Sequence, residues 1–381
     1  MNTIRYTNQI VFVLKITQLL TQNPFLMSYN FKITKIGESG VSKLDFNDIP
    51  FGKVFTDHMF VADFIDGQWT NFEIRPVAPI ATHPGNMAWH YGQAIFEGMK
   101  ATVDNDRNPL LFRPEMHAVR FNNSAVRMSM PEIPNDLFVQ AVHNLVHMEK
   151  DWIPAQPGSA LYIRPFMYAT DETIGVKASE TYKFIIFTMP VGPYYSNPVK
   201  LLAQDKYVRA VVGGVGEAKT AGNYAASLRP ATMAKKEGYD QVMWLDGIHK
   251  KYIQEIGTMN IFFVVNDEIL TPNLDGAILA GITRDSLIKL FKEEGFKVTE
   301  RPITIDELIE AGKNGTLTEA FGSGTAAVIA PASHIKHNDD VVELNMTNRK
   351  YSNWAFDMIN GIRNKTIADK FGWIVPAVPY K

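Results

Sequence analysis

Apolar and polar positions along this chain repeat with two periods, and each change of period marks an element. Alternation with period two reaches Phe64 and predicts a strand, and Asp66-Gly67 closes it as a hairpin. Residues 160–166 and 241–245 read as strands, as does 252–264, with a hairpin turn at Asn266-Asp267-Glu268. The run at 183–190 is predominantly apolar, which predicts a strand buried on both faces. Helical spacing begins at Pro114, where proline suits a first turn, and turns Val119, Ala125 and Val126 inward. A second helix spans 134–152 with Leu137, Phe138, Ala141, Val142 and Leu145 on one face. A third runs from Ser227 to Gly238, ending Lys-Lys-Glu-Gly. The last, 352–370, carries Trp354, Met358, Ile359 and Ile362. Residues 276–281 form a glycine turn into a helix with Thr283 as its N-cap, and 319–328 form a second small-residue turn.

The 381-residue length suggests two domains with ample chain for buried cores. Turn and linker composition at 191–198 puts the boundary there, giving domains 28–192 and 199–381 joined by a loop at 193–198. Residues 1–27 contain Arg5, Lys15 and the apolar run 10–14, too short to span a bilayer. No small-x-small cleavage site follows that run, so a loose extension or a mis-set start ahead of Met27 is the simpler reading.

Charge and cysteine usage narrow the chemistry. Lys plus Arg number 38 against 40 Asp plus Glu, a net charge of −2, so no basic field argues for nucleic acid. The chain has no cysteine, which excludes disulfides, thiolate catalysis and cysteine-ligated metals and fits a cytoplasmic enzyme. His143 and His147 sit one turn apart without a third ligand, and read as surface or satisfied histidines rather than a metal pair.

Lys219 stands out between the glycine-rich lead 213–216 and Gly222-Asn223-Tyr224. Three readings are open for it. It can be an exposed loop lysine. It can belong to a phosphate loop, since Gly213-x-x-x-x-Ala218-Lys219-Thr220 nearly matches that motif, with 207–212 as the strand before it. Ala218 is the wrong residue there, and Gly222-Asn223 would interrupt the helix that must follow. It can also be an amine held near a ligand carbonyl, able to form a Schiff base. Glu255, among apolar residues, is either a strand glutamate facing solvent or a buried carboxylate that needs a partner.

Lys219-x-x-x-Asn223-Tyr224, with Glu255-x-Gly-Thr258-Met-Asn260 and four further motifs in the same order over residues 48–373, resembles the branched-chain amino acid aminotransferases. These are pyridoxal 5'-phosphate enzymes of fold type IV. The resemblance implies an α+β fold of the D-amino acid aminotransferase-like kind, with a small α/β domain and a larger domain built on a barrel-like sheet. It implies that Lys219 carries the cofactor as a Schiff base, that Tyr224 bonds the ring oxygen, and that Glu255 faces the pyridine nitrogen. Arg120, Ile282, Thr283 and Thr325 would hold the phosphate. Thr258 and the backbone at Ala326 would meet the substrate carboxylate. Phe51, Tyr91 and Phe96 would wall the side-chain pocket, with Tyr162 and Arg164 at its rim. Ile174 and Val176 would reach a partner subunit's pocket, making the enzyme at least a homodimer. A Cys-x-x-Cys found in some mammalian relatives is replaced by Ala327 and Ala330.

The implied reaction moves the amino group of leucine, isoleucine or valine to 2-oxoglutarate by a ping-pong mechanism, with no nucleic acid or membrane involved. D-amino acid aminotransferases and aminodeoxychorismate lyases share the lysine and the glutamate and remain alternatives within the fold. A nucleotide-binding phosphate-loop protein is the alternative outside it.

Overall fold

Two curved sheets, each with its own helices, account for the apolar pattern. The computed structural model describes residues 28–50, 52–192 and 197–379, so the 1–27 extension, Phe51 and most of the 193–198 loop lie outside it. The first sheet contains β1 (Lys32–Ile33), β2 (His58–Ile65), β3 (Gln68–Pro76), β4 (Ala94–Phe96), β5 (Met99–Val103), β6 (Pro109–Phe112), β7 (Ala160–Ala169) and β8 (Tyr182–Val191). The second contains β9 (Val199–Gln204), β10 (Gln241–Leu245), β11 (Ile253–Ile256), β12 (Asn260–Val265), β13 (Glu268–Thr271), β14 (Val298–Glu300), β15 (Leu317–Gly324), β16 (Val328–His337) and β17 (Asp340–Glu343). A last strand, β18 (Ile374–Pro376), leaves the second half and pairs with β6 at the edge of the first sheet.

The helices are α1 (Met87–Tyr91), α2 (Pro114–Arg127), α3 (Asn135–Met148), α4 (Ala221–Lys236), α5 (Ile282–Glu293), α6 (Ile305–Lys313) and α7 (Lys350–Arg363). In the first half α2 and α3 cover one sheet face, where Phe121 and Phe138 pack against Phe184. In the second half the sheet runs β11-β10-β9-β16-β15-β12-β13-β14 and curls into a half-barrel. Its β12 and β15 carry Phe262 and Phe321, stacked on each other and buried beneath Phe291 of α5. The α+β architecture with a barrel-like second sheet is therefore present.

The hairpin at Asp66-Gly67 forms as predicted; both residues have positive φ, which a two-residue turn between twisted strands requires. Other expectations need correction. Val126 is 61 % exposed, because the inner face of α2 is the stripe Ala118, Phe121, Asn122 and Ala125 at helical spacing. Residues 207–212 form no strand, and the helix after Lys219 begins at Ala221, not Ser227. Gly222 and Asn223 do not interrupt it. Asn223 instead turns its amide back onto the carbonyls of Val215 and Ala218, so its polar side chain fastens the preceding loop. The final helix stops at Arg363, and α5 opens at Ile282 with Gly281 as N-cap, so Thr283 lies inside it. The small-residue segment at 319–324 is strand, leaving a tight turn at 325–327. Helix α6 has no counterpart in the sequence reading.

Candidate active site

Lys219 is fixed from three directions. Its N–H donates to Ser124 Oγ at 2.9 Å, its carbonyl accepts from Phe96 N at 3.0 Å, and the next residue, Thr220, donates its hydroxyl to Ala94 O at 2.8 Å. Helix α2 and strand β4 of the first half thus hold the loop that leads into α4. The Lys219 Nζ lies 2.8 Å from Tyr224 Oη and 4.6 Å from the centre of the Phe96 ring. Lys219 lies just ahead of α4, and Tyr224 in its first turn points back to meet it.

A cavity of ≈ 610 Å³ opens around this amine between the two sheets. Arg120, Glu255, Thr258, Ile282, Thr283, Thr325, Ala326, Phe96, Tyr162 and Arg164 all line it with Lys219 and Tyr224. Tyr91, Ile174 and Val176 do not. They are 39 %, 66 % and 90 % exposed, and the bridge between Asn86 and Glu172 sets α1 beside the 172–178 loop on the outer edge. Phe51 lies outside the described residues.

Glu255 is buried on β11, resolving the choice between solvent and partner. Its Oε1 accepts from Leu279 N at 2.7 Å, and its Oε2 lies 3.2 Å from Arg209 Nε. Burial pushes its carboxyl above the usual range, while Arg209, the Leu279 N–H and Lys219 pull the other way. Arg209 also donates to the carbonyls of Gly216 and Ala277, so it ties the lysine loop to the loop before α5.

Arg120 is held by a carboxylate the sequence reading passed over. Glu97, fully buried, takes Arg120 Nε at 2.7 Å and Nη2 at 2.8 Å, and His117 Nδ1 lies 2.8 Å from the same carboxylate. The guanidinium and His117 hold Glu97 well below the usual carboxylate range, against the cost of its burial. Burial pushes His117 down to about 4, so the ring is neutral at neutral pH. The available signal was a glutamate inside the apolar stretch 94–101, which has to be paired if it is buried.

Arg120 Nη1 donates to Ala280 O at 3.2 Å, just ahead of α5, whose first turn faces the cavity with no side-chain cap on its N–H groups. A Cβ at Gly281 would fall 1.9 Å from Asn260 Oδ1, so glycine is what lets β12 and the helix start close together. Ser323 Oγ, also lining the cavity, is buried without a hydrogen-bond partner. Across the mouth, Arg164 donates to Tyr162 Oη at 3.1 Å and lies 4.6 Å above the Phe96 ring. Gly98 leaves room for that tyrosine, since a Cβ there would fall 2.2 Å from Tyr162 Oη.

An amine, a buried carboxylate and an open helix N-terminus with an arginine beside it form a set that fits an aromatic aldehyde phosphate. The profile of the amino-transferase class IV family matches residues 94–335. The chain belongs to the class IV aminotransferases. Its relatives include branched-chain-amino-acid aminotransferase 2 of Bacillus subtilis (strain 168), 49 % identical, covering 87 % of this chain and 93 % of the relative. The branched-chain-amino-acid aminotransferase of Mycolicibacterium smegmatis is 41 % identical, covering 85 % and 91 %. Among solved structures, the branched-chain aminotransferase of Thermoproteus uzoniensis with norvaline superposes with a TM-score of 0.70 at 25 % identity, over 84 % of this chain and 99 % of that one. The T.th. branched-chain amino acid aminotransferase with pyridoxamine 5'-phosphate gives 0.69 at 25 %, over 84 % and 98 %. The class IV assignment removes the phosphate-loop alternative, which the missing strand at 207–212 had already weakened.

No group of three or more His, Cys, Asp or Glu side chains among the described residues could hold a metal, and no helix among them is long and apolar enough to cross a membrane.

Proposed function

We propose that Lys219, Tyr224, Glu255 and Arg120 carry the transamination of leucine, isoleucine and valine with 2-oxoglutarate, in a homodimer located in the cytoplasm. The enzyme is a pyridoxal 5'-phosphate-dependent branched-chain-amino-acid aminotransferase. The contact that carries the site reading is Lys219 Nζ to Tyr224 Oη at 2.8 Å, within the cavity that also holds Glu255.

When bound, the cofactor supplies the carbonyl carbon that takes the amino group and a ring that accepts electrons. The residues would divide the remaining work. Lys219 Nζ takes the proton from the substrate Cα and returns it in the reverse half-reaction. Tyr224 keeps that amine oriented, and Glu255 offers its carboxylate to the ring nitrogen. Arg120, pinned by Glu97, and the N–H groups of Ile282 and Thr283 grip the phosphate, with Thr325 beside them. Thr258 and the turn at Ala326 receive the substrate carboxylate. Phe96 and Tyr162 favour a branched apolar side chain, while the Arg164 guanidinium offers a charge for the glutamate side chain of the other substrate pair.

The homodimer is supported by the outer edge of the first sheet. Trp89, Tyr91, Ile174 and Val176 are exposed there. Phe55, Trp89, Phe166 and Phe187 line an apolar groove on the same half. A second copy would cover this surface, and its Tyr91 and 174–176 loop would complete the neighbouring pocket.

An absorbance spectrum tests the reading. Protein loaded with pyridoxal 5'-phosphate should show a visible band that moves toward the near-ultraviolet with leucine and returns with 2-oxoglutarate. A band that answers only to D-alanine would overturn the substrate assignment.

A further inference from the structure

Lys100 takes no part in the arrangement above, yet it is a buried cation beside the substrate turn. It lies on β5 with 7 % of its surface exposed, and its Nζ donates to the carbonyl of Ala326 at 2.8 Å. β5 belongs to the first sheet and Ala326 to the turn between β15 and β16 of the second, so this contact joins the two halves directly behind Ala326, which lines the cavity.

The charges around it come from every packed element. Glu97, three residues earlier, is taken up by Arg120 and His117 of α2. The neighbouring strand β7 carries Tyr162, in register with Lys100, and Arg164. From α7 comes Arg363, buried over the Phe112 ring, which repels the ammonium. No acidic side chain among the described residues pairs with Lys100 or draws its charge. An ammonium in that position is costly unless an anion arrives.

We propose that Lys100 is a positioning residue for the substrate carboxylate: it holds the Ala326 turn in place and supplies a buried positive charge behind the turn that the carboxylate meets. The inference rests on the assignment of the substrate carboxylate to this turn. It also has a consequence in pH. Burial and Arg363 bring the Lys100 ammonium down to about 7. A carboxylate nearby favours the charged form and raises it again, so binding takes up a proton above neutrality. Affinity is then level below about pH 7 and falls as pH rises through it, by at most about tenfold per unit.

The test uses holoenzyme and 4-methylvalerate, a branched carboxylate with no amino group to titrate or react. Calorimetry in two buffers of different ionisation heat measures affinity and proton uptake together. Wild type should take up a fraction of a proton at about pH 8 and bind several-fold more weakly there than at about pH 6.5. Lys100→Gln keeps a donor for Ala326 and loses the charge. It should bind about tenfold more weakly at about pH 6.5, with the uptake and its share of the pH dependence gone. Should the glutamine variant fail to fold, Lys100→Arg retains a charge that does not titrate near neutrality. It should bind without proton uptake. Wild-type affinity and uptake in either variant would overturn the proposal. So would weaker binding with the uptake intact, which would make Lys100 merely structural. The leucine-induced absorbance shift is recorded on every sample. Its absence from wild type would overturn the carboxylate assignment itself, separately from the role of Lys100.

Discussion

Lys219 combines an immobilised backbone with a side chain that opens into the cavity, the combination an active-site base requires. Lys219→Ala should abolish transamination, by about a thousandfold or more, together with the visible cofactor band. The fold should be retained, because the bonds to Ser124 Oγ and Phe96 N use only the Lys219 backbone. Stopped-flow turnover and a thermal melt check both halves; substantial residual activity would sink the assignment. Arg209 pairs with Glu255 at 3.2 Å. Without it, nothing but the Leu279 N–H and Lys219 would oppose the burial that favours a neutral carboxyl. Arg209→Met should therefore lower kcat at neutral pH and recover part of it as pH rises and Glu255 ionises. A pH profile of kcat unchanged from wild type would remove this role. That Lys219, Tyr224 and Glu255 belong together was legible in the sequence because each sits in a dense local motif, and they line one cavity. Arg209 was not, since its partner lies on a strand far along the chain and only burial makes the pair necessary.

Helix α2 shows how an element turns pattern into chemistry. Its apolar stripe fixes the rotation of the helix against the first sheet, and that rotation carries Arg120 and His117 inward with Phe121. Glu97, in the link between β4 and β5, then meets both. Glu97→Gln would leave the Arg120 guanidinium buried without a counter-charge, at a cost of about 3–5 kcal/mol. The expected outcome is a lower Tm at neutral pH and weaker retention of pyridoxal 5'-phosphate on dialysis. Glu97 has a depressed carboxyl, so its stabilisation is complete above the ordinary glutamate range, about pH 4.5. It is lost only as pH falls well below that. The Tm gap between variant and wild type should accordingly stay wide through neutral pH and narrow only in strong acid. A gap that does not change with acid would show that size, not charge, sets it. Helix boundaries were the least legible feature at this scale. The N-cap of α5 depends on where a neighbouring strand comes close, since only glycine at 281 leaves room for the Asn260 side chain.

At the scale of the molecule, the two halves are fastened at the cavity and again at the C-terminus. β18 adds to the first sheet beside β6, and Trp373, just before it, accepts from Arg113 N at 2.8 Å. Arg113 lies 5.0 Å above the Trp373 ring, pairs with Asp285 at 2.7 Å and donates to Ser286 Oγ at 2.6 Å, both in the first turns of α5. Trp373→Ala should therefore destabilise by about 3–5 kcal/mol through the lost core volume. It should also raise the Kd for the cofactor, whose phosphate is proposed to sit at α5. Denaturant melts and cofactor titration measure the two effects; a stability loss with unchanged cofactor affinity would show that the C-terminal strand does not support the site.

What the sequence determined by itself is local: the periodicity that makes these strands and helices, the hairpin at Asp66-Gly67, the lysine–tyrosine spacing, and the absence of cysteine. Local spacing suffices there because the interacting groups lie within a turn or two of chain. Tertiary structure decided the rest: which arginine is buried and by what it is held, that Glu255 is enclosed, that Tyr91 and residues 174–176 face outward, and that the last strand returns to the first sheet. Burial is what separates these outcomes. It makes a charge demand a partner, and a one-dimensional pattern does not say which distant segment will provide it.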